Sequence, residues 1–162
     1  MKVRLTTSMG PIVIELDNTK APISAANFMK YVAAGHYDGT IFHRVIDGFM
    51  IQGGGFAPGM SQKPTDAQIE NEANNGLKNE KYSVAMARTN VRDSATSQFF
   101  INVKDNEFLN YAGESNPGYA VFGKVVEGKD VVDKLTRVRT GNRGGHGDVP
   151  NTDVLVEKAV VV

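Results

Sequence analysis

The stretch FHRVIDGFMIQGG, residues 42–54, contains two short apolar segments separated by an Asp-Gly pair. Such a pair between apolar segments is a strong signal of a β-hairpin. Two polar residues, Arg44 and Gln52, interrupt the apolar pattern. They mark either the solvent face of an amphipathic hairpin or the polar groups of an otherwise apolar pocket.

The length of the turn determines where these two polar residues lie. A two-residue loop would place Arg44 opposite Ile51. A three-residue loop, with its glycine at positive φ, places Arg44 opposite Gln52 and Ile46 opposite Met50. We favour the three-residue loop because it brings the two polar side chains together on one face.

A second segment, SQFFIN at residues 97–102, divides its side chains in the same way. Successive side chains of a strand point to opposite faces, so Gln98 and Phe100 share one face. Phe99 and Ile101 point to the other face, toward the core. A phenylalanine beside a glutamine on the outward face is unusual for a solvent surface, and both a pocket and a packed protein interface explain it.

The bulk composition excludes several classes of protein. With 162 residues, of which 41% are hydrophobic, the chain fits one domain that spans residues 1–162. Lys+Arg and Asp+Glu balance at 18 each, so we expect no nucleic-acid partner and no membrane partner. The chain has no cysteine, which excludes disulfides and thiol nucleophiles. The start, MKVRLTTSMG, has no apolar signal-peptide segment, which predicts a cytoplasmic protein.

Period-two alternation dominates the chain and predicts eight short strands. They are expected at residues 2–7, 11–16, 41–46, 50–53, 82–87, 98–102, 119–126 and 154–162. Helical spacing occurs between Pro22 and Gly35, and again behind Gly128. This order predicts a mainly β fold, a closed eight-stranded antiparallel β-barrel capped by two α-helices. Side chains fill a barrel of eight strands, so we expect any site on its outer surface.

The common catalytic motifs are absent. There is no G-x-S-x-G, H-E-x-x-H or Walker A sequence, and the three histidines lack metal-ligand spacing, so we expect no metal. His43 alternates with Arg44 and is expected to be a hydrogen-bonded structural histidine. TGNRGGHGD, residues 140–148, predicts a flexible loop with a solvated His146. The long segment 53–79 is either a functional loop or an irregular surface loop without a function of its own.

Three blocks of the chain match a known family: FHRVIDGFMIQGG, MARTNVRDSATSQFFIN and YAVFGKVV. They closely resemble the cyclophilins, the peptidyl-prolyl cis-trans isomerases. The intervening NEANNGLKNE and the Phe108-Leu109 pair are similar to the small bacterial single-domain members in particular. The resemblance runs almost from Met1 to Val162, in order. It implies the eight-stranded barrel that the pattern predicts independently, and an isomerase that assists protein folding.

The resemblance also implies roles for individual residues. Arg44 corresponds by position to the essential arginine, and Gln52 to the glutamine that supports it and contacts substrate. The other implied residues are the pocket walls Phe49, Met50, Phe100 and Leu109, the polar rim residue Gln98, and the segment Ala87, Arg88, Thr89 and Asn90, whose backbone pairs with an extended substrate. The loop that follows this segment is one residue longer than in some relatives.

Two positions depart from the pattern of many members. Phe108 stands where many eukaryotic members have tryptophan, so an indole N–H donor is missing. The resemblance therefore implies weak rather than tight cyclosporin binding, with isomerisation retained. Tyr119 stands where many members have histidine, and it can still form a wall of the pocket.

The proposed chemistry agrees with the missing motifs. Rotation about an Xaa-Pro bond needs neither a nucleophile nor an acid–base pair; it needs a donor aimed at the prolyl nitrogen in the twisted state. Arg44 is such a donor and stays charged. We expect no cofactor, a monomer, and proline-containing peptides and folding polypeptides as partners.

Two other functions remain as alternatives. The first is a proline-peptide binding module or holdase whose catalysis is incidental. The second is a small-ligand β-barrel carrier, which requires an open interior. The joint presence of Arg44, Gln52, Phe100 and Leu109 favours the isomerase, and the many apolar inward positions disfavour the carrier.

Overall fold

One antiparallel sheet accounts for most of the chain, and the structure, a computed structural model, describes all residues from Met1 to Val162. The strands are β1 (Lys2–Thr7), β2 (Gly10–Leu16), β3 (Thr40–Ile41), β4 (Arg44–Ile46), β5 (Met50–Gly53), β6 (Phe56–Ala57), β7 (Ser61–Gln62), β8 (Ser83–Met86), β9 (Phe99–Asn102), β10 (Val121–Glu127), β11 (Thr140–Arg143), β12 (His146–Pro150) and β13 (Leu155–Val161). The helices are α1 (Pro22–Ala33) and α2 (Lys129–Leu135), with short 3-10 turns at Ala73–Asn75 and Glu107–Leu109.

The sheet curls until its two ends meet on one segment of chain. Its strand order is β3-β13-β1-β2-β10-β8-β9-β5-β4, so β3 and β4 are the outermost strands. Only Phe42 and His43 separate them in sequence, and the Phe42 N–H donates to the Val154 carbonyl at 3.0 Å. Residues 40–46 therefore pair with β13 at one end and β5 at the other. Counted as one strand, this segment gives the predicted eight-stranded barrel, and the fold class is confirmed.

Side-chain alternation fills the interior of the barrel. Val3 and Leu5 of β1, and Ile12 and Ile14 of β2, are fully buried, as period-two spacing requires. They belong to a main core of 28 buried residues that also includes the inward side chains of the other strands. A filled interior leaves no open ligand cavity, which argues against the carrier alternative.

Both predicted helices are present. α1 begins at Pro22, and the carboxylate of Glu72 accepts hydrogen bonds from the N–H groups of Ile23 and Ser24, at 3.2 and 2.7 Å. This distant carboxylate replaces a local N-cap, because Ala21 has no side-chain acceptor. At 12 and 7 residues, the two helices are too short to cross a membrane.

Two predicted loops contain more structure than their composition indicates. Residues 140–148 were expected to be a flexible loop, but most of them form the hairpin of β11 and β12. Arg143 stabilises that hairpin because its Nη1 donates to Asp153 at 2.8 Å and to the Pro150 carbonyl at 3.1 Å. Segment 53–79 likewise contains the β6–β7 hairpin and a 3-10 turn. Period-two patterning is weak in strands this short, so the sequence does not reveal them.

The turn into α2 allows a test of the packing between that helix and β2. Gly128 has φ +88°, and a Cβ there would overlap the Pro11 carbonyl oxygen. Gly76 has nearly the same φ, +86°, with nothing within 4 Å of such a Cβ. We expect Gly76→Ala to lower the free energy of unfolding by about 1–2 kcal/mol, the cost of a left-handed conformation alone. Gly128→Ala should lower it clearly more, because of the additional overlap with Pro11. Urea unfolding measures both, and equal losses would contradict the packing described.

Candidate active site

The hairpin that carries Arg44 has the three-residue loop. Arg44 lies opposite Gln52, and Ile46 opposite Met50. Gly48 adopts φ +72°, as such a loop requires. Arg44 projects outward and is exposed, and its neighbour Val45 points into the core.

A chain of polar side chains runs along the outer face, from Arg44 on β4 to Gln52 on β5 and on to Gln98, which directly precedes β9. Arg44 Nη1 donates to Gln52 Oε1 at 3.5 Å, and Gln52 Nε2 donates to Gln98 Oε1 at 2.9 Å. The Gln98 side chain lies directly over Gly55, where a Cβ would come within 2.5 Å of Gln98 Cγ. Gly55 thus leaves the space that Gln98 occupies. Because Gln52 is held at both ends of its amide, it provides a fixed acceptor for the Arg44 guanidinium.

A separate apolar cluster lies on the same outer face of the sheet. It consists of the buried residues Met50, Ala85, Phe100, Leu109 and Val121. Phe99 and Ile101, the sequence neighbours of Phe100, belong to the main core instead. β9 therefore has a packed interior face and a second apolar face, as the SQFFIN pattern predicts.

The second cluster surrounds a small cavity of about 110 Å³. A site for a drug-sized ligand needs roughly 300–1,000 Å³, so this cavity suits one small apolar group. Its lining consists of nine residues: Arg44, Phe49, Met50, Gln52, Ala87, Arg88, Phe100, Leu109 and Tyr119. All nine are among the site residues that the sequence predicts. An apolar cavity with a guanidinium at its edge can bind a small apolar ring and present a charged hydrogen-bond donor to it.

The aromatic residues of the cavity pack on one another. The Phe100 and Tyr119 rings meet edge to face, with centroids 5.7 Å apart. The Phe49 ring stacks on Phe108, also at 5.7 Å. Phe108 is 65% exposed and lies outside the cavity lining, so it supports one wall and extends the apolar surface outward.

Three other predicted residues lie outside the cavity lining. Gln98 accepts a hydrogen bond from Gln52, which lines the cavity. The N–H and the Oγ1 of Thr89 both donate to Ser94 Oγ, at 2.9 and 2.8 Å, which closes the loop that follows the cavity wall. Asn90 is exposed in that loop.

A network of buried asparagines, which the sequence reading missed, holds the walls in place. Asn106 Nδ2 donates to the Phe49 carbonyl at 2.9 Å and to Asn102 Oδ1 at 2.8 Å. Asn79 Nδ2 donates to the carbonyls of Leu109 and Tyr119, at 3.2 and 3.3 Å. Asn102 Nδ2 in turn donates to Asn79 Oδ1 at 3.0 Å. Asparagines that break apolar runs, as at the end of FFIN, are the signal that could have revealed it.

A larger cleft of about 640 Å³ lies elsewhere, beside the N-terminus. Only four of its fourteen lining residues are hydrophobic, and five are charged: Glu15, Asp17, Lys78, Glu80 and Lys124. An open, mostly polar cleft without a convergent set of donors is a poorer candidate than the small apolar cavity.

His43 is a buried structural residue, as predicted, but the prediction that it is hydrogen-bonded is wrong for its Nδ1. The residue is 5% exposed, and its Nδ1 has no hydrogen-bond partner. The physical reason is that the Phe56 ring covers the imidazole, at a centroid distance of 4.5 Å. Burial, with smaller contributions from His146 and Arg44, lowers the pKa of His43 to about 4. His146 is exposed, as predicted.

Comparison with known proteins identifies the class to which this fold and cavity belong. The family model described as cyclophilin type peptidyl-prolyl cis-trans isomerase/CLD matches residues 2–161. The chain belongs to this cyclophilin family.

Individual relatives agree over nearly the whole chain. Peptidyl-prolyl cis-trans isomerase cyp18 of Streptomyces antibioticus is 59% identical, over 99% of this chain and 98% of its own. Peptidyl-prolyl cis-trans isomerase B of Escherichia coli K12 is 57% identical, over 98% of each chain. The chain is accordingly a peptidyl-prolyl cis-trans isomerase, similar to small bacterial members of the family.

A solved structure agrees with both the fold and the type of ligand. The cyclophilin type isomerase of Cryptosporidium parvum, solved in the presence of the dipeptide Ala-Pro, superimposes with a TM-score of 0.85. The two chains are 27% identical, and the match covers 100% of this chain and 99% of the other. Proline-containing peptides are therefore the ligand class of the family.

The buried His43 makes stability depend on pH. Its folded pKa of about 4 lies below the ordinary value of 6.5, so between these pH values the unfolded chain binds a proton that the folded chain does not. Stability therefore falls as the pH drops through this window, by up to about 3 kcal/mol from this group. We expect the free energy of unfolding of wild type to fall more than that of His43→Gln between pH 7 and pH 4, by up to about 3 kcal/mol. Urea unfolding at the two pH values measures this difference.

His146, which makes a smaller contribution to the lowered pKa of His43, provides the comparison for this measurement. His146→Gln should keep most of the pH dependence of wild type, because burial, the larger cause of the lowered pKa, remains. If His43→Gln and wild type lose the same stability on acidification, His43 is not held neutral by its burial.

Proposed function

We propose that Arg44 is the catalytic residue and that the cavity beside it binds the proline ring of the substrate. An Xaa-Pro bond resists rotation because the nitrogen lone pair is delocalised into the carbonyl, which gives a barrier of ~18–20 kcal/mol. Rotation localises this lone pair on the prolyl nitrogen. The Arg44 guanidinium donates a hydrogen bond to that nitrogen in the twisted state, and only weakly in either planar state.

The apolar walls and Gln52 make this donor effective. Phe100, Met50 and Leu109 surround the ring and exclude water, which strengthens the charged hydrogen bond beside them. Gln52 accepts from Arg44 at 3.5 Å and so restricts the directions in which the guanidinium points. Gln52 is thus a positioning residue that also lies close enough to contact the substrate.

Magnitudes indicate that several effects act together. A turnover of ~10 per second requires an acceleration of about 10³–10⁴-fold, or roughly 4–5.5 kcal/mol, over uncatalysed exchange. One charged hydrogen bond supplies roughly 1.5–3 kcal/mol. The fit of the ring, its desolvation and the immobilised flanking chain account for the remainder.

The backbone beside the cavity can hold the flanking chain. Neither the N–H nor the carbonyl of Arg88 has a hydrogen bond within the protein, and Arg88 follows directly on β8 and Ala87. An extended peptide can pair with such unpaired groups as an additional strand. The Ala-Pro dipeptide present with the Cryptosporidium parvum relative supports a proline-containing peptide as the occupant.

The wider biological setting is also proposed. We expect one domain over residues 1–162, acting as a cytoplasmic monomer on folding polypeptides. The missing indole at Phe108 favours weak cyclosporin binding. A proline-peptide binding module or holdase remains the second candidate, because the apolar cavity by itself would bind proline without accelerating its isomerisation.

The first test concerns Arg44. We expect Arg44→Ala to lower kcat/KM at least about 100-fold, because it removes the charged hydrogen bond and part of the preorganised site. Exchange NMR on an Ala-Pro peptide measures cis/trans rates, and thermal unfolding checks the fold. Arg137 is also exposed and is not among the residues that line the cavity, so Arg137→Ala serves as the matched control with wild-type activity.

Two outcomes would contradict this assignment. A folded Arg44→Ala variant with near-normal activity would remove Arg44 from the mechanism. Wild-type protein that binds the peptide without accelerating exchange would favour the binding module instead.

The second test concerns Gln52. We expect Gln52→Ala to lower kcat/KM about tenfold, the value of roughly one hydrogen bond to a charged group. The loss should occur mainly in kcat, because the proline cavity remains while the donor loses its orientation. Gln62→Ala, an exposed glutamine on β7, is the control. A change confined to KM would show that Gln52 only binds substrate and does not orient Arg44.

A further inference from the structure

A second arginine, Arg88, lines the proline cavity. The Arg88 side chain is half-buried and lines the cavity together with Arg44. Its Nε donates to the Gly118 carbonyl at 3.0 Å, and its Nη1 to the Thr89 carbonyl at 2.9 Å. The guanidinium carbon also lies 4.4 Å from the centroid of the Tyr119 ring. Three contacts therefore fix the position of this cation.

The contacts of Arg88 include no carboxylate within 4.0 Å, although Glu70 lines a small neighbouring cavity together with Arg88. They involve only carbonyl groups and an aromatic ring, and the remaining guanidinium N–H groups have no acceptor in the protein. Arg92 and Arg143, by contrast, form salt bridges with carboxylates. No salt bridge involves Arg44 or Arg88 within 4.0 Å.

The cavity consequently has a charge imbalance that the whole chain lacks. Its nine lining residues include two arginines and no aspartate or glutamate, whereas the chain has 18 basic and 18 acidic residues. The apolar walls lower the local dielectric, so the two charges act more strongly here than on an open surface. A substrate that brings a carboxylate to this site supplies the missing counterion.

We propose that Arg88 selects substrates with a carboxylate within two residues of the proline. This inference rests on the proposed role of the cavity as the proline site. An extended chain advances about 3.3 Å per residue. Only substrate residues close to the proline in sequence therefore lie near Arg88. A carboxylate there can accept hydrogen bonds from the free N–H groups of Arg88. Because the guanidinium is already held in place, less conformational entropy is lost when the pair forms.

Matched peptides test the selection. Each pair has the same sequence, with Glu or the isosteric Gln at one position: two before, one before or one after the proline. We expect wild type to show a kcat/KM ratio of about three- to tenfold in favour of Glu at one or more of these positions, a gain between that of an exposed ion pair and that of a charged hydrogen bond.

The origin of the preference is tested by substitution and by salt. The ratio should fall to about one in Arg88→Gln, remain above one in Arg88→Lys, and be unchanged in Arg137→Gln. It should also shrink as salt rises from about 0.01 M to about 1 M, which shortens the Debye length from roughly 30 Å to roughly 3 Å. The ratio within one variant is the readout, so a change in overall rate does not affect the conclusion.

Failure of this inference differs from failure of the proposed function. If wild type isomerises Glu and Gln peptides equally at all three positions, the selection is overturned and the isomerase site stands. If a Glu preference survives in Arg88→Gln, the selection belongs to another residue, and the assignment to Arg88 is overturned. If Arg44→Ala retains full activity on the Gln peptides, the cavity is not the catalytic site, and the inference falls with it.

Discussion

The hydrogen bonding of residues 40–46 to both ends of the sheet is the constraint on which the rest of the structure depends. One half of this segment pairs with β13 and the other with β5, so a single stretch of seven residues closes the barrel. Closure buries Phe42 and Val45 and leaves Arg44 between them in sequence but outside the barrel. The proposed catalytic donor is thus held by the same backbone that closes the fold.

The two faces of β5 and β9 explain how a filled barrel can carry the proposed binding site on its outer surface. Inward side chains of both strands join the main core, and outward ones form the second cluster with its cavity. Gln52 and Phe100 are directly opposite each other across these strands, so the polar and apolar parts of the site lie side by side. Prolyl isomerisation needs only this combination of an apolar pocket and a hydrogen-bond donor, because no covalent bond is broken.

Rigidity behind the cavity comes from buried polar groups. Asn106 donates to the carbonyl of Phe49, and Asn79 donates to those of Leu109 and Tyr119. Asn102 links the two by hydrogen bonds to both. Buried amides without partners are costly, so the satisfied donors of this network favour one arrangement of the walls. Arg88, fixed by two carbonyls and a ring, extends the same principle to a charged group at the rim.

The sequence by itself determined the strands and helices of the barrel, the turn at Gly48 and the outward face shared by Gln98 and Phe100, because period-two alternation and turn chemistry are local properties of the chain. It also placed Arg44 opposite Gln52. Only the tertiary structure decided what depends on distant contacts: the unbonded Nδ1 of His43 beneath Phe56, the asparagine network, and the contacts that hold the Arg88 side chain at the cavity. These features join residues far apart in sequence, and no local pattern records which distant groups will meet when the sheet closes.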